Sequence, residues 1–331
     1  MLSRRPLTML VAVSVLLPLS ACGNGGESGS GSNGGEYQSE NISMIIPYAA
    51  GGPTDLVTRA IAPFFSEKLG QTVLPENREG GSGALGMATL VNSKPDGHTM
   101  MLIASTAATV TPLVQKVEYD DSDYVTVGAI TQYPYVMAVR ADSKYASAEK
   151  LFAAAKADPG SIKVGVPGAS SQGAVELRRL AENHGIATTA VPFEGNAGCI
   201  TALLGGNVDA IFLVASDDVL SQVNSGTFRA VAVGSAERAS YLPETPTLGD
   251  LGYKDLTLGT SYYGLAVPAG TPQEITDEIE KTLQAALEDP KVTERIGVKY
   301  VPEKFISGQE LSTLFAEQRK VYAPILSGAK K

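Results

Sequence analysis

The sequence predicts an α/β protein of two lobes, joined by two crossover strands and separated by a cleft. Beyond residue 40, short apolar runs rich in β-branched residues alternate with amphipathic segments of helical length, as in parallel sheets covered by helices. Two extended apolar segments, 133–140 and 261–268, each lead from one group of βα units into another. Lying side by side, they would carry the chain across and back. Roughly 290 residues follow the polar N-terminal stretch, enough for one large or two medium domains.

Arg4 and Arg5 precede an apolar stretch, 7–19, that is too short for a comfortable membrane span. It closes on Leu19-Ser20-Ala21-Cys22, which resembles the lipobox at which bacterial lipoproteins are cleaved and lipidated on the cysteine. An ordinary leader with a chance cysteine is the alternative. Residues 1–22 are therefore expected to be a lipoprotein signal, with Cys22 as the lipidation site. Residues 23–35 are Gly, Ser, Asn and Glu alone, unable to bury enough surface to offset their ordering entropy. The stretch 23–40 reads as a flexible tether, with an r.m.s. span of about 20–25 Å.

In the body, strands are expected at 42–46, 72–76, 99–104, 162–166, 188–191, 208–214 and 228–234. Helices are expected at 55–69, 84–93, 147–156, 172–184, 197–204, 272–286 and 307–322. Pro63 should kink or shorten the first helix. The crossovers divide the body into lobe 1, 41–138 with 262–331, and lobe 2, 139–261. That arrangement suits hinge closure on a ligand.

Strand-to-helix loops carry the small and hydroxyl residues. At Gly51-Gly52-Pro53-Thr54-Asp55, backbone N–H groups and the positive helix end could hold a carboxylate, with a hydroxyl from Thr54. The same residues also read as a tight turn in which Thr54 or Asp55 caps the helix and Asp55 pairs with Arg59. A second loop, with Gly168, Ser170, Ser171 and Gln172, would face the first across the cleft; the plain alternative is Ser170 as an N-cap. Ser105 and Thr106 add hydroxyls after the third strand, and Glu194 and Asn196 should border the cleft in lobe 2. Asp209 suits an end-of-strand hydrogen-bond acceptor better than a ligand contact.

Composition narrows the function. The formal charge is −9, and loss of Arg4 and Arg5 with the leader takes it to −11. Such a field argues against nucleic acid and repels anionic ligands at long range. Gly81 to Gly86 matches G-x-G-x-x-G, but 105–108 supplies no acidic partner for a dinucleotide ribose. A G-x-S-x-G nucleophile elbow is absent. His98 and His184 are the only histidines, and Cys199 is the only cysteine besides Cys22, which excludes an internal disulfide and a zinc cluster. Cys199, on an apolar helix face, reads as a buried small hydrophobe. No catalytic set, metal site or cofactor is expected.

Several segments together resemble the tripartite tricarboxylate transporter receptor family, the Bug-type extracytoplasmic solute receptors. They are Ile-Ile-Pro-Tyr-Ala-Ala-Gly-Gly-Pro-Thr-Asp (45–55), Glu-Asn-Arg-Glu-Gly-Gly-Ser-Gly (76–83), Pro-Asp-Gly-His-Thr (95–99) and Val-Pro-Phe-Glu-Gly (191–195). Leu-Leu-Gly-Gly-Asn-Val-Asp (203–209), Pro-Thr-Leu (246–248) and Gly-Leu-Ala-Val-Pro-Ala-Gly-Thr-Pro (264–272) follow in the family's order. The resemblance implies a type 2 periplasmic-binding-protein fold, in which the loop matched by 48–55, including Tyr48 and Ala50, grips a ligand carboxylate. The loop matched by 167–172 would add backbone and hydroxyl contacts. It further implies a monomer that hands a small carboxylic acid to membrane permease subunits, here lipid-anchored outside the cytoplasm. A signalling lipoprotein or, less in keeping with the residues, a secreted enzyme are the alternatives. The chain departs from the family at Glu194, where a basic or small residue is usual, at Ala197-Gly198 for Ala-Pro, and at His98 for tyrosine. Near the cleft, a carboxylate at Glu194 would disfavour a second or third ligand carboxylate or else pair with a cationic group, which leaves a monoanion, an aromatic acid or an amino-acid-like zwitterion open.

Overall fold

The computed structural model describes residues 41–327; the leader, Cys22 and the tether lie outside them. Three parallel strands open the fold: β1 (Ile42–Ile46) pairs with β2 (Val73–Asn77) on one side and β3 (Thr99–Ala104) on the other. Each is followed by helix: α1 (Pro53–Leu69), α2 (Ala84–Val91), and a π-helical turn at Thr106–Val110 running into α3 (Thr111–Val114). Two antiparallel strands, β9 (Thr260–Pro268) and β4 (Tyr124–Arg140), complete the order β2-β1-β3-β9-β4.

β4 belongs to two sheets. Up to Pro134 it pairs with β9, and from Tyr135 onward it pairs with β7 (Ala210–Val214) and β8 (Phe228–Val233). Pro134 has no N–H to donate, which suits the residue where the strand changes partners; its carbonyl accepts from Ala215 and the Tyr135 N–H donates to Gly259. β7 continues to β5 (Lys163–Val166), and β5 to β6 (Thr189–Pro192), all parallel. Helices α4 (Ala148–Ala157), α5 (Gln172–His184), α6 (Gly195–Leu204) and α7 (Asp217–Asn224) alternate with these strands. The apolar core runs unbroken from Met44 and Phe65 in the first half to Phe212 and Leu213 in the second.

After β9 the chain returns to the first half. α8 (Gln273–Glu288) and α9 (Pro290–Ile296) pack on α1, and α10 (Gly308–Leu326) lies across β4 and reaches α5. Ser307 and Glu310 cap α10 reciprocally. Where α10 meets α5, Gln318 and Gln172 both donate their amide nitrogens to the Thr260 carbonyl, at 2.9 and 3.5 Å. The return crossover is therefore held from both halves.

Every expected strand and helix is present, with ends moved by a few residues. Pro63 does not shorten α1, which runs for 17 residues with Ala60, Ile61, Ala62 and Phe65 buried around the proline. The π-helical turn with α3, the first half of β4, α7 and α9 lie outside the expected elements.

Candidate functional site

Both sheets place their strand-to-helix loops at the carboxyl ends of parallel strands, the usual ligand crevice of open α/β sheets. The β1–α1 loop is built around Asp55, which is buried. Its Oδ2 accepts the Gly51 N–H at 3.0 Å, while Oδ1 accepts from Arg59 Nε at 2.9 Å and Asn77 Nδ2 at 3.1 Å. Asn77 also donates to the Tyr48 carbonyl at 3.0 Å. The hydrogen bond from Arg59 holds the Asp55 carboxyl below the usual carboxylate range. Asp55 is thus a brace whose acceptors face the loop.

With Gly51 tied back, Gly52 is the N-cap of α1 and offers no side chain. The first N–H to close an intrahelical bond is that of Leu56, onto the Gly52 carbonyl. Pro53 has none, so the Thr54 and Asp55 N–H groups have no acceptor among the described residues. They stand at the positive end of a 17-residue helix. Ala50 and Gly51 are exposed beside them, and Thr54 is buried.

In the second half, Ser171 is the N-cap of α5, in place of the expected Ser170: its Oγ accepts from the Ala174 N–H and donates to the Gly168 carbonyl. Ser170 is half-buried, with no side-chain hydrogen bond among the described residues, and Gly168 holds a φ of +110°. Gln172 is turned away, fully buried against the Thr260 carbonyl at the start of β9. Glu194 is exposed at the start of α6, and Asn196 Nδ2 donates to Ser216 Oγ at 2.7 Å. Ser105 is committed to β9, accepting from the Tyr262 N–H at 2.8 Å, which leaves Thr106 half-buried beside it. Asp209 precedes β7 and accepts the Lys163 N–H at 2.9 Å, at the end of the sheet opposite the loops.

Several tyrosines lie near the two loops, and their phenols are raised by burial. Burial, then the neighbouring Tyr263, raises the Tyr48 phenol, with Tyr119 and Tyr135 contributing. Tyr135 is likewise raised by burial, while its oxygen is steadied by the Gln172 and Gly173 N–H groups at the start of α5. Tyr263 is pushed up to about 12 by burial and by the charge of Asp218. Tyr48 lies beside Gly83 at the start of α2, and the Tyr135 ring lies beside Gly173 in the first turn of α5. Among these, Tyr135 and Tyr263 escape a reading by motif, because neither sits in a Gly-rich loop. A hollow of about 370 Å³ between α7, β8 and residues 241–245 shares no residue with these loops. Among the described residues, no group of three metal-binding side chains and no helix long and apolar enough to cross a membrane occurs.

Residues 57–329 match the model of the tripartite tricarboxylate transporter family receptor. An Agrobacterium vitis protein, described as a UPF0065 protein in the TAR-I ttuE-ttuC' intergenic region, is 31% identical over 299 residues, covering 89% of this chain and 86% of its own. A solved TctC solute binding protein from Polaromonas superposes with a TM-score of 0.76 at 28% identity, over 88% of this chain and 99% of its own. R. palustris Rpa4515, solved with adipate, has a TM-score of 0.75 at 25% identity, over 87% of this chain and 97% of its own.

Proposed function

The chain belongs to the tripartite tricarboxylate transporter receptor family, and on that premise we propose that it is an extracytoplasmic receptor that closes on a small organic acid and delivers it to the transporter's membrane subunits. The observation that carries the reading is the pair of unclaimed N–H groups, Thr54 and Asp55, at the braced start of α1. A carboxylate there gains two charge-assisted hydrogen bonds and the helix dipole without a cationic side chain. Ser170 and the Gly168 backbone meet it from the other half, with Tyr48, Gly52, Thr54 and Thr106 around it. The bound adipate of the R. palustris relative supports the ligand class. Lobes 41–138 with 262–331 and 139–261 would close about β4 and β9, and a lipid on Cys22 would hold the receptor at the membrane as a monomer. Binding and release suffice for this role, so no chemistry is assigned to the cleft.

The test is a thermal-shift and calorimetric panel of mono- and dicarboxylates on the purified mature chain. A ligand at a hundredfold excess over Kd should stabilise it by about 2.7 kcal/mol. If no carboxylate raises the melting temperature, the reading fails.

A further inference from the structure

One side chain of the first half is set into the second. Tyr300 ends a short 3-10 turn, Val298–Tyr300, that follows α9, which packs on α1. Its ring is buried, with its centroid 4.5 Å from that of Tyr133 on β4 and 5.8 Å from that of Tyr241 in the second half. Tyr133 in turn lies 5.1 Å from Tyr263 of β9, so the ring belongs to a cluster that reaches both crossover strands. The Tyr300 hydroxyl donates to Asp217 Oδ1 at 2.8 Å, and Lys299 Nζ reaches the same oxygen at 2.5 Å. Burial alone would raise the Asp217 carboxyl, but the bonds from Lys299 and Tyr300 outweigh it and hold the group below the usual carboxylate range. Gly297 gives the ring its place: its φ is +95°, and a Cβ there would lie 2.9 Å from the Tyr300 ring.

Asp217 opens α7, three residues after Val214, which pairs with Tyr135 where β4 changes partners. It thus sits past the carboxyl end of β7, at the same end of the parallel strands as the loops that follow β5 and β6. Moving one half against the other about β4 and β9 carries Tyr300 one way and Asp217 the other. We propose that Tyr300 and Asp217 form a catch that holds the two halves together beside the crevice before any ligand arrives, which makes them positioning residues for capture. This rests on the reading of two closing halves given above, and adds to it a residue pair outside the loops that would face the ligand. The Lys299 pair is partly open to solvent and adds little. The buried hydroxyl is the specific part, because drawing Asp217 away leaves a donor stranded among tyrosine rings. Apparent affinity scales with the fraction of molecules already in the binding arrangement, so a contact that favours that arrangement tightens binding without touching the ligand.

The experiment compares the purified mature chain with Tyr300→Phe, which removes only the hydroxyl, with Asp217→Ala, and with the double variant. Small-angle X-ray scattering without ligand should give a larger radius of gyration in each variant than in the wild type. The double variant should be no more open than Asp217→Ala, because both changes remove one contact. Tyr119→Phe is the control: its hydroxyl donates to the Ala107 carbonyl at 2.7 Å within the first half, so its loss should leave the radius unchanged. Calorimetry with succinate, glutarate and adipate then reads capture, and the tightest of the three should bind Tyr300→Phe about fivefold or more weakly than the wild type. An unchanged radius in the catch variants, an equal increase in Tyr119→Phe, or a shifted radius with unchanged affinity overturns the inference and leaves the organic-acid reading standing. A shifted radius with no acid bound by the wild type sinks that reading instead and leaves the catch in place.

Discussion

Two adjacent glycines do different work in the β1–α1 loop. Gly51 holds a φ of +80°, which L side chains rarely adopt, whereas Gly52 has an ordinary φ of −79° and room for a Cβ 3.5 Å from the Ala49 carbonyl. Gly51→Ala should therefore lower stability by about 1–2 kcal/mol through backbone strain. Gly52→Val should cost only about 1 kcal/mol, as a poor N-cap, while placing a branched side chain beside the open N–H groups. Denaturation curves with and without a stabilising carboxylate separate the two. Gly52→Val should fold and lose the ligand-induced gain; a retained gain would mean the cradle lies elsewhere. Asp55 makes a prediction in pH. Its folded carboxyl titrates below an unfolded value of about 3.9, so its contribution is complete above that value and is lost as pH falls through the folded pKa. Melting temperatures from pH 7 down to 3 should show a steeper acid decline in the wild type than in Asp55→Asn. The loop's composition was legible from Gly51 to Asp55 because those residues are contiguous. The bracing role of Asp55 was not, because it depends on Asn77, 22 positions away and brought near by β2.

Sheet and helix periodicity made most elements readable, and what it missed has physical causes that differ from element to element. The first half of β4 carries Gly128 in its middle, a residue that weakens a strand pattern. The glycine is there for close approach: a Cβ would meet Phe305 at 2.8 Å and the Ile306 carbonyl at 3.2 Å. Across the ladder, a Cβ on Gly264 of β9 would lie 2.4 Å from the Gly128 carbonyl and 2.5 Å from a Leu311 methyl. Neither crowding is visible along the chain, since the partners come from segments far away in sequence. α7 was missed for another reason: eight residues with only Val219 and Leu220 buried leave too short a stripe for helical periodicity. The crossover pair itself yields a prediction. Gly264→Ala must push against the Gly128 backbone in the β4–β9 ladder, and should destabilise by about 1–3 kcal/mol or more. Gly160→Ala, strained in φ but with only Thr189 Oγ1 at 3.6 Å, should cost less, and urea midpoints of the two decide it.

Charge over the entire chain and charge within the cleft act on a ligand at different distances. The formal charge of −9 repels an approaching anion, and the repulsion reaches about 30 Å at 0.01 M salt but only about 8 Å at 0.15 M. The Thr54 and Asp55 N–H groups attract a carboxylate only at contact, because the helix dipole fades within a turn. Association of a monoanion should therefore quicken as salt rises, the reverse of the behaviour of a receptor steered by basic residues. A zwitterion carries no net charge for the field to act on, so its on-rate should be nearly independent of salt. Tyr48 stands half-buried in the β1–α1 loop and the sequence has no tryptophan, so intrinsic tyrosine emission is a usable probe. Stopped-flow mixing with pentanoate and with 5-aminopentanoate, from 0.01 to 0.15 M salt, gives the two slopes. A monoanion whose on-rate falls with salt would mean that a local positive potential outweighs the overall charge, and would place the cationic groups of Arg59 or Lys299 in the approach path despite their pairing with Asp55 and Asp217.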